Sequence, residues 1–206
     1  MKIDTTYRPK KIYELVELSK AAEDAKILLQ YNKMDMLKFS AAVIYSIPFL
    51  IYGILTLHFP IIVCSVAFAV LSGYDGSYRE LKTYRKAKEI YEKKYGCIEK
   101  NDKKHSILSV LKRRSELKME YAKNEDEAKQ IMIGIKFGIG CYILFFLGTP
   151  IIIFSVIPAY DYVGIMFFLG IYAYTAIGCI VYIKDLKISK QTFAELYDQS
   201  ESNEVI

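Results

Sequence analysis

The chain has 206 residues, 53% of them hydrophobic and 25% charged, with a formal net charge of +5. Those averages hide a segregation: Phe39 to Tyr74 is 36 residues without Asp, Glu, Lys or Arg, and two more charge-free runs cover Phe137–Tyr160 and Tyr162–Ile183. A soluble core needs no uncharged run beyond about 18 residues, whereas a bilayer does, which excludes ordinary soluble and disordered classes.

The N-terminal segment, residues 1–37, reads as a cytoplasmic helix. Leu15, Leu18, Ala22, Ala25, Leu29 and Met36 alternate at spacings of three and four, with Asn32 interrupting. That is a narrow apolar stripe. Without Gly or Pro it is expected to run unbroken into the first crossing. The polar start argues against a cleaved leader, and the run from Phe39 reads as an uncleaved anchor.

The first apolar block is too long for one crossing and just sufficient for two. Its middle reads Leu57-His58-Phe59-Pro60. Proline belongs in the first turn of a helix, so the block is broken there. This predicts helices at about 38–57 and 60–76, a transmembrane hairpin over 38–76 with His58 and Pro60 at its outer turn. Both helices are short, so the hairpin either thins the bilayer or stays shallow. Pro48 is expected to kink the first crossing.

Residues 77–130 read as a cytoplasmic helical hairpin. Tyr78, Leu81, Tyr84 and Tyr91 sit among lysines up to Gly96, a C-cap candidate. After a polar turn, Asp102 or Ser106 is the expected cap of the next helix. Its stripe, from Ile107 through Leu117, Tyr121 and Ala128, leads into the third crossing. These stripes either pack on the N-terminal helix or lie on the membrane surface, with lysines reaching anionic headgroups. The basic run Lys112-Arg113-Arg114 is assigned to solvent or inner-leaflet lipid and not to nucleic acid, because stacking aromatics are scarce there.

The second block, 131–183, breaks at Ile157-Pro158-Ala159-Tyr160-Asp161, giving helices at about 131–157 and 162–183. Pro158 and Asp161 form the outer turn, and Pro150 is a second expected kink. The acidic tail, 184–206, is expected to fray beyond Lys190.

Orientation follows from the basic residues. Of 28, the segment to Lys38 holds 8, Asp75–Lys136 holds 17, and the tail from Lys184 holds 3; the short connections hold none. The positive-inside rule puts both termini and the middle segment in the cytoplasm. The expected fold is therefore an all-α integral membrane protein, with four transmembrane helices in two hairpins and a cytoplasmic helical extension, N-in and C-in. The expected location is a cell membrane, by this layout a bacterial inner membrane.

Catalytic constellations are lacking. There is no His-Glu-x-x-His, Cys-x-x-Cys, phosphate loop or Gly-x-Ser-x-Gly. The two histidines, His58 and His105, are far apart in sequence. No cofactor, no metal and no enzymatic activity are expected. The crossings carry no charge at their centres, against a coupled transporter. What they carry is small residues. Ser65, Ala69, Gly73 and Ser77 recur every four positions, and Gly134 and Gly138 form a Gly-x-x-x-Gly. Such faces allow close helix approach, within the chain or between copies.

The N-terminal helix, the hairpin at 39–74 and the helix Tyr78-Arg-Glu-Leu-Lys-Thr-Tyr-Arg-Lys-Ala-Lys-Glu-Ile-Tyr together resemble SLATT domains. Those are small membrane effectors of bacterial nucleotide-signalling defence systems. The resemblance covers under half of the chain, rests on layout, and implies action by pore formation or membrane perturbation. The second hairpin departs from the two-crossing pattern. The two hydrophobic hairpins around a polar segment are also similar to reticulon-type membrane-shaping proteins. Neither resemblance carries site residues. The functional expectation is a self-associating, channel-like or membrane-perturbing effector or scaffold. Its partners are the lipid bilayer, anionic headgroups and itself or another membrane protein. The alternatives are an accessory or immunity subunit and a small-solute transporter.

Overall fold

A computed structural model describes residues 10–97, 105–156 and 162–198. Among them the chain is helical almost throughout and has no strand. The helices are α1 (Ile12–Leu18), α2 (Ala22–Leu55), α3 (Phe59–Val70), α4 (Arg79–Tyr95), α5 (Ile107–Glu120), α6 (Glu125–Val156) and α7 (Tyr162–Phe193). Two segments, Leu71–Tyr78 and Ala194–Asp198, have the wider turns of a π-helix. Three helices are long and apolar enough to cross a membrane: α2, α6 up to Gly148, and α7. The fourth apolar helix, α3, has 12 residues and alone spans about 18 Å at 1.5 Å per residue.

The described chain divides into two compact units. The first holds residues 10–32, 83–97, 105–139 and 181–198; the second holds 33–82, 140–156 and 162–180. Helices α2, α4, α6 and α7 each contribute to both.

In the first unit, Leu15, Val16, Ala25, Leu28, Leu29, Ala87, Tyr91 and Leu117 form one buried cluster. It joins α1, the start of α2, α4 and α5. Burying each large apolar side chain contributes about 1.5–3 kcal/mol. The sequence stripe thus packs inward, yet the expected unbroken N-terminal helix is interrupted. Leu18 is exposed, the backbone leaves the helix at Ser19 (ψ 130°), and α2 begins at Ala22. The Ser19 carbonyl is taken by distant donors, Lys94 Nζ at 2.6 Å and Tyr95 Oη at 2.5 Å.

A second interruption separates α5 from α6. Asn124 Oδ1 accepts the Glu127 amide at 2.9 Å, and the Glu127 carboxylate accepts the Lys123 amide at 2.5 Å. Asn124 thus caps the helix start while Glu127 reaches back to the residue before the cap, and Glu125, Asp126 and Glu127 complement the dipole of the first turn. The expected caps hold elsewhere: Ser106 accepts the Ser109 amide, and Gly96 ends α4 with φ +90°.

In the second unit, α2 ends in a Schellman arrangement. The His58 amide donates to the Gly53 carbonyl at 2.8 Å and the Leu57 amide to the Ile54 carbonyl at 3.3 Å. Leu57 occupies the left-handed position, φ +53°, which glycine normally takes. Gly53 lets the hairpin close, since a Cβ there would lie 2.9 Å from Ile62 Cγ1. His58 is then the N-cap of α3 and Pro60 sits in its first turn.

Phe167 is fully buried at the centre of an aromatic cluster. Its centroid lies 4.8 Å from Phe49, 5.4 Å from Phe168, 6.2 Å from Tyr45 and 6.5 Å from Phe68. Around it the outward side chains are apolar: Ile44, Ile51, Leu55, Leu144, Phe145, Met166 and Ile177 are each more than half exposed.

The expectation of fraying beyond Lys190 does not hold as far as Asp198, and residues 199–206 lie outside the described residues. Helix α7 continues to Phe193 and is followed by wide turns to Asp198. Asp185, Ser189 and Thr192 are buried along one face of it. Burial and the carboxylates of Glu125 and Glu127 push the Tyr197 hydroxyl above its ordinary pKa.

Candidate functional site

The small residues predicted for helix packing are largely occupied within the chain. Ser65 is fully buried, and its hydroxyl has no hydrogen-bond partner among the described residues. Ala69 is half-buried. A Cβ at Gly73 would lie 3.5 Å from Val43, and the Ser77 hydroxyl lies 3.3 Å from that of Ser40. The segment from Ser65 to Ser77 therefore turns this face toward α2.

Several glycines seat aromatic rings. A side chain at Gly76 would collide with Phe39, at Gly138 with Tyr182, at Gly170 with Tyr45, and at Gly178 with Tyr142. The Tyr45 hydroxyl, lying over Gly170, donates to the Met166 carbonyl at 3.0 Å. Removing a Cβ here admits a ring, which offers more contact area than a second backbone. Gly134 is different: no described atom lies within 4 Å of where its Cβ would stand, so the two glycines of the Gly-x-x-x-Gly are not used together.

Pro48 lies inside the continuous helix α2, and Pro150 lies within the range of α6. Pro158 and Asp161 fall outside the described residues.

The residues with the most chemistry were not among those singled out. Arg113 and Arg114, assigned to solvent or lipid, are both engaged by protein carboxylates. Arg113 sits in a fork, with Nε 2.8 Å from Asp24, and Nη1 3.2 Å from Glu116 and 2.7 Å from Glu120. These three partners raise its pKa despite partial burial. Arg114 is the more buried of the two. Its Nη1 is 2.8 Å from Asp185 Oδ2, and the guanidinium lies over the Tyr31 ring at 4.2 Å. The side chains of Arg114 and Asp185 are 13% and 7% exposed, so this is a desolvated pair. Ser115 donates its hydroxyl to the other Asp185 oxygen. Burial pushes the Asp185 carboxyl up, but the charges of Arg114 and Lys118 and these hydrogen bonds outweigh it. They hold it below the usual carboxylate range.

Beside this pair is a cavity of about 240 Å³. Lys10, Arg114, Lys118, Gln130, Tyr182 and Asp185 supply its polar lining, and Ile131, Gly134 and Ile135 its apolar side. Lys10 is tied down by Glu127 at 3.0 Å and by the Tyr121 carbonyl. Most of the cavity's lining is apolar, and three cations and the ionised Asp185 carboxylate contribute to its polar part. The sequence signal that could have found it is the pairing of Asp185 with Ser189 and Thr192 at helical spacing, a polar stripe and not an apolar one.

No protein-family pattern matches the chain, and neither a curated protein nor a solved structure is significantly similar to it.

Proposed function

We propose that the chain is a non-enzymatic, multi-pass membrane protein acting as a channel-like or membrane-perturbing effector or scaffold. In this reading residues 38–76 and 131–183 are two transmembrane hairpins. The segments 1–37, 77–130 and 184–206 lie in the cytoplasm, with both termini inside. The observation that carries it is the contrast in side chains between the two units. Most large apolar groups left outward belong to residues 33–82 and 140–180, whereas nearly all the ion pairs belong to the other unit. Apolar exposure on that scale is unusual for a soluble monomer and ordinary for a lipid-facing surface.

Self-association in this reading falls to α6. The face of Ser65, Gly73 and Ser77 is engaged inside the chain, while Gly134, Gly140 and Gly148 of α6 have no described atom within 4 Å of a would-be Cβ. The same occupancy of the Ser65–Ser77 face supports a second reading, an accessory or immunity subunit whose apolar exterior meets another membrane protein.

Dye release from liposomes containing the purified protein tests the first reading. Release that rises with protein density, from a species larger than a monomer in detergent, supports it. A tight monomer that never releases dye sinks it, and recovery of one stoichiometric membrane partner from native membranes favours the second.

A further inference from the structure

Three contacts fix the register of α2 against α7 within the second unit. Phe49 packs on Phe167 with centroids 4.8 Å apart, the Tyr45 hydroxyl donates to the Met166 carbonyl at 3.0 Å, and the Lys38 ammonium lies over the Tyr174 ring at 5.0 Å. Counted along α2 alone, Lys38 stands just outside the charge-free run that begins at Phe39. Counted along α7, its ammonium sits much deeper. Tyr174 is the thirteenth of the 22 residues in the run Tyr162–Ile183, nine residues short of Ile183. That is about 14 Å at 1.5 Å per residue. On the membrane reading above, on which this inference rests, the ammonium is then close to the middle of a hydrocarbon core about 30 Å thick. A charge at that depth is costly, and membrane proteins keep one there for a ligand, a path or a partner.

Beside this ammonium is an almost wholly apolar groove of about 300 Å³, walled by Phe39, Phe68, Tyr142, Phe145, Ile171 and Tyr174. Both rings that Lys38 approaches, Phe39 at 5.7 Å and Tyr174, belong to those walls. Phe145 and Leu71, which also lines the groove, are exposed, so the groove opens on the outward apolar surface of this unit. The Asp35 carboxylate, one turn earlier on α2, acts on the Lys38 charge. The groove is therefore flanked by a cation with an anion one turn further from the first crossing. A zwitterionic phospholipid complements both features, with opposite charges in its headgroup and an apolar chain. We infer that the groove holds such a lipid, its phosphate at Lys38, its amine toward Asp35 and one acyl chain along the aromatic walls. A headgroup held that far inside thins the cytoplasmic leaflet locally, which gives the membrane-perturbing reading a concrete means.

Full-length protein in mixed micelles with equal amounts of phosphatidylethanolamine, phosphatidylglycerol and diacylglycerol of matched chains provides the test, with retained lipid counted by native mass spectrometry. Phosphatidylethanolamine should be retained over both others. Lys38→Met should cut its advantage over diacylglycerol about tenfold, as expected for losing one hydrogen bond to a charged group, and Lys38→Arg should keep it. Asp35→Asn should turn the preference toward phosphatidylglycerol. Cys141→Trp, which fills the groove with Lys38 intact, should lower retention of all three lipids. Lys184→Gln, removing an exposed cation of α7 just past the charge-free run, should change nothing. Equal retention of phosphatidylethanolamine and diacylglycerol, indifference to both Lys38→Met and Cys141→Trp, or an equal loss in Lys184→Gln would overturn the inference. So would a disulfide between copies through Cys141 under mild oxidation, which would make a second chain the occupant. Alkaline extraction separates the two levels of failure. A chain that leaves the membrane fraction refutes the membrane reading itself. One that stays but shows no lipid preference refutes only the site.

Discussion

Replacing Asp185 with asparagine leaves the Arg114 guanidinium buried without its counter-charge. At 2.8 Å and an effective dielectric of about 20, the pair's attraction is about 6 kcal/mol. Desolvation costs several kcal/mol per ion, so the intact pair contributes little net stability. Removing one partner is a different matter, because the desolvation of the other remains. Asp185→Asn and Arg114→Met should each destabilise the protein by about 3–5 kcal/mol. The double variant Arg114→Met/Asp185→Asn should cost much less than the sum of the two, giving a coupling energy of several kcal/mol. Denaturant unfolding of the full chain in a fixed detergent, followed by circular dichroism, measures all four corners. The folded carboxyl lies below its unfolded pKa of about 3.9, so its contribution is complete at neutral pH. It is lost only as pH falls below about 4 toward the folded value, and Asp185→Asn should remove that part of the acid sensitivity. Single-variant costs under about 1 kcal/mol, or simple additivity, would refute a desolvated pair.

Leu57→Gly should stabilise the first hairpin by about 1 kcal/mol, since it relieves a leucine held at φ +53° in an exposed position; a lower melting temperature would contradict the Schellman geometry. Gly76→Ala should cost about 1–3 kcal/mol because Phe39 packs on that backbone, and adding Phe39→Ala should recover part of the loss, as thermal melts of the three variants would show. Ser115→Ala should cost about 1.5–3 kcal/mol by removing a donor to the buried Asp185 carboxylate, read from the same unfolding curves.

Local signals were legible where local chemistry decides. A charge-free block interrupted by Pro60 marks the hairpin turn, Gly96 marks the end of α4, and Ser106 marks the start of α5. The Asn124–Glu127 start was also legible, but the apolar stripe running across it pointed to continuity. At the break by Ser19 the carbonyl is met by Lys94 and Tyr95, more than 70 positions away, which no local pattern announces. The same holds for Arg113 and Arg114, whose carboxylates come from α2, α5 and α7. Helix α7 persists past Lys190 on a buried face of Asp185, Ser189 and Thr192, to which hydrophobic periodicity is blind. Gly138 reads as a helix-contact position; that it admits a tyrosine ring depends on which residue the neighbouring helix presents.

Cysteine accessibility in intact cells tests the membrane account most directly, using a chain whose four native cysteines, Cys64, Cys97, Cys141 and Cys179, are replaced by serine or alanine. A cysteine introduced by His58→Cys should react with a membrane-impermeant maleimide from outside, and one introduced by Lys104→Cys only after the cells are opened. Protection of position 58 until lysis would mean that the first hairpin does not cross. Labelling of position 104 from outside would reverse the orientation on which the cytoplasmic assignment of both termini depends.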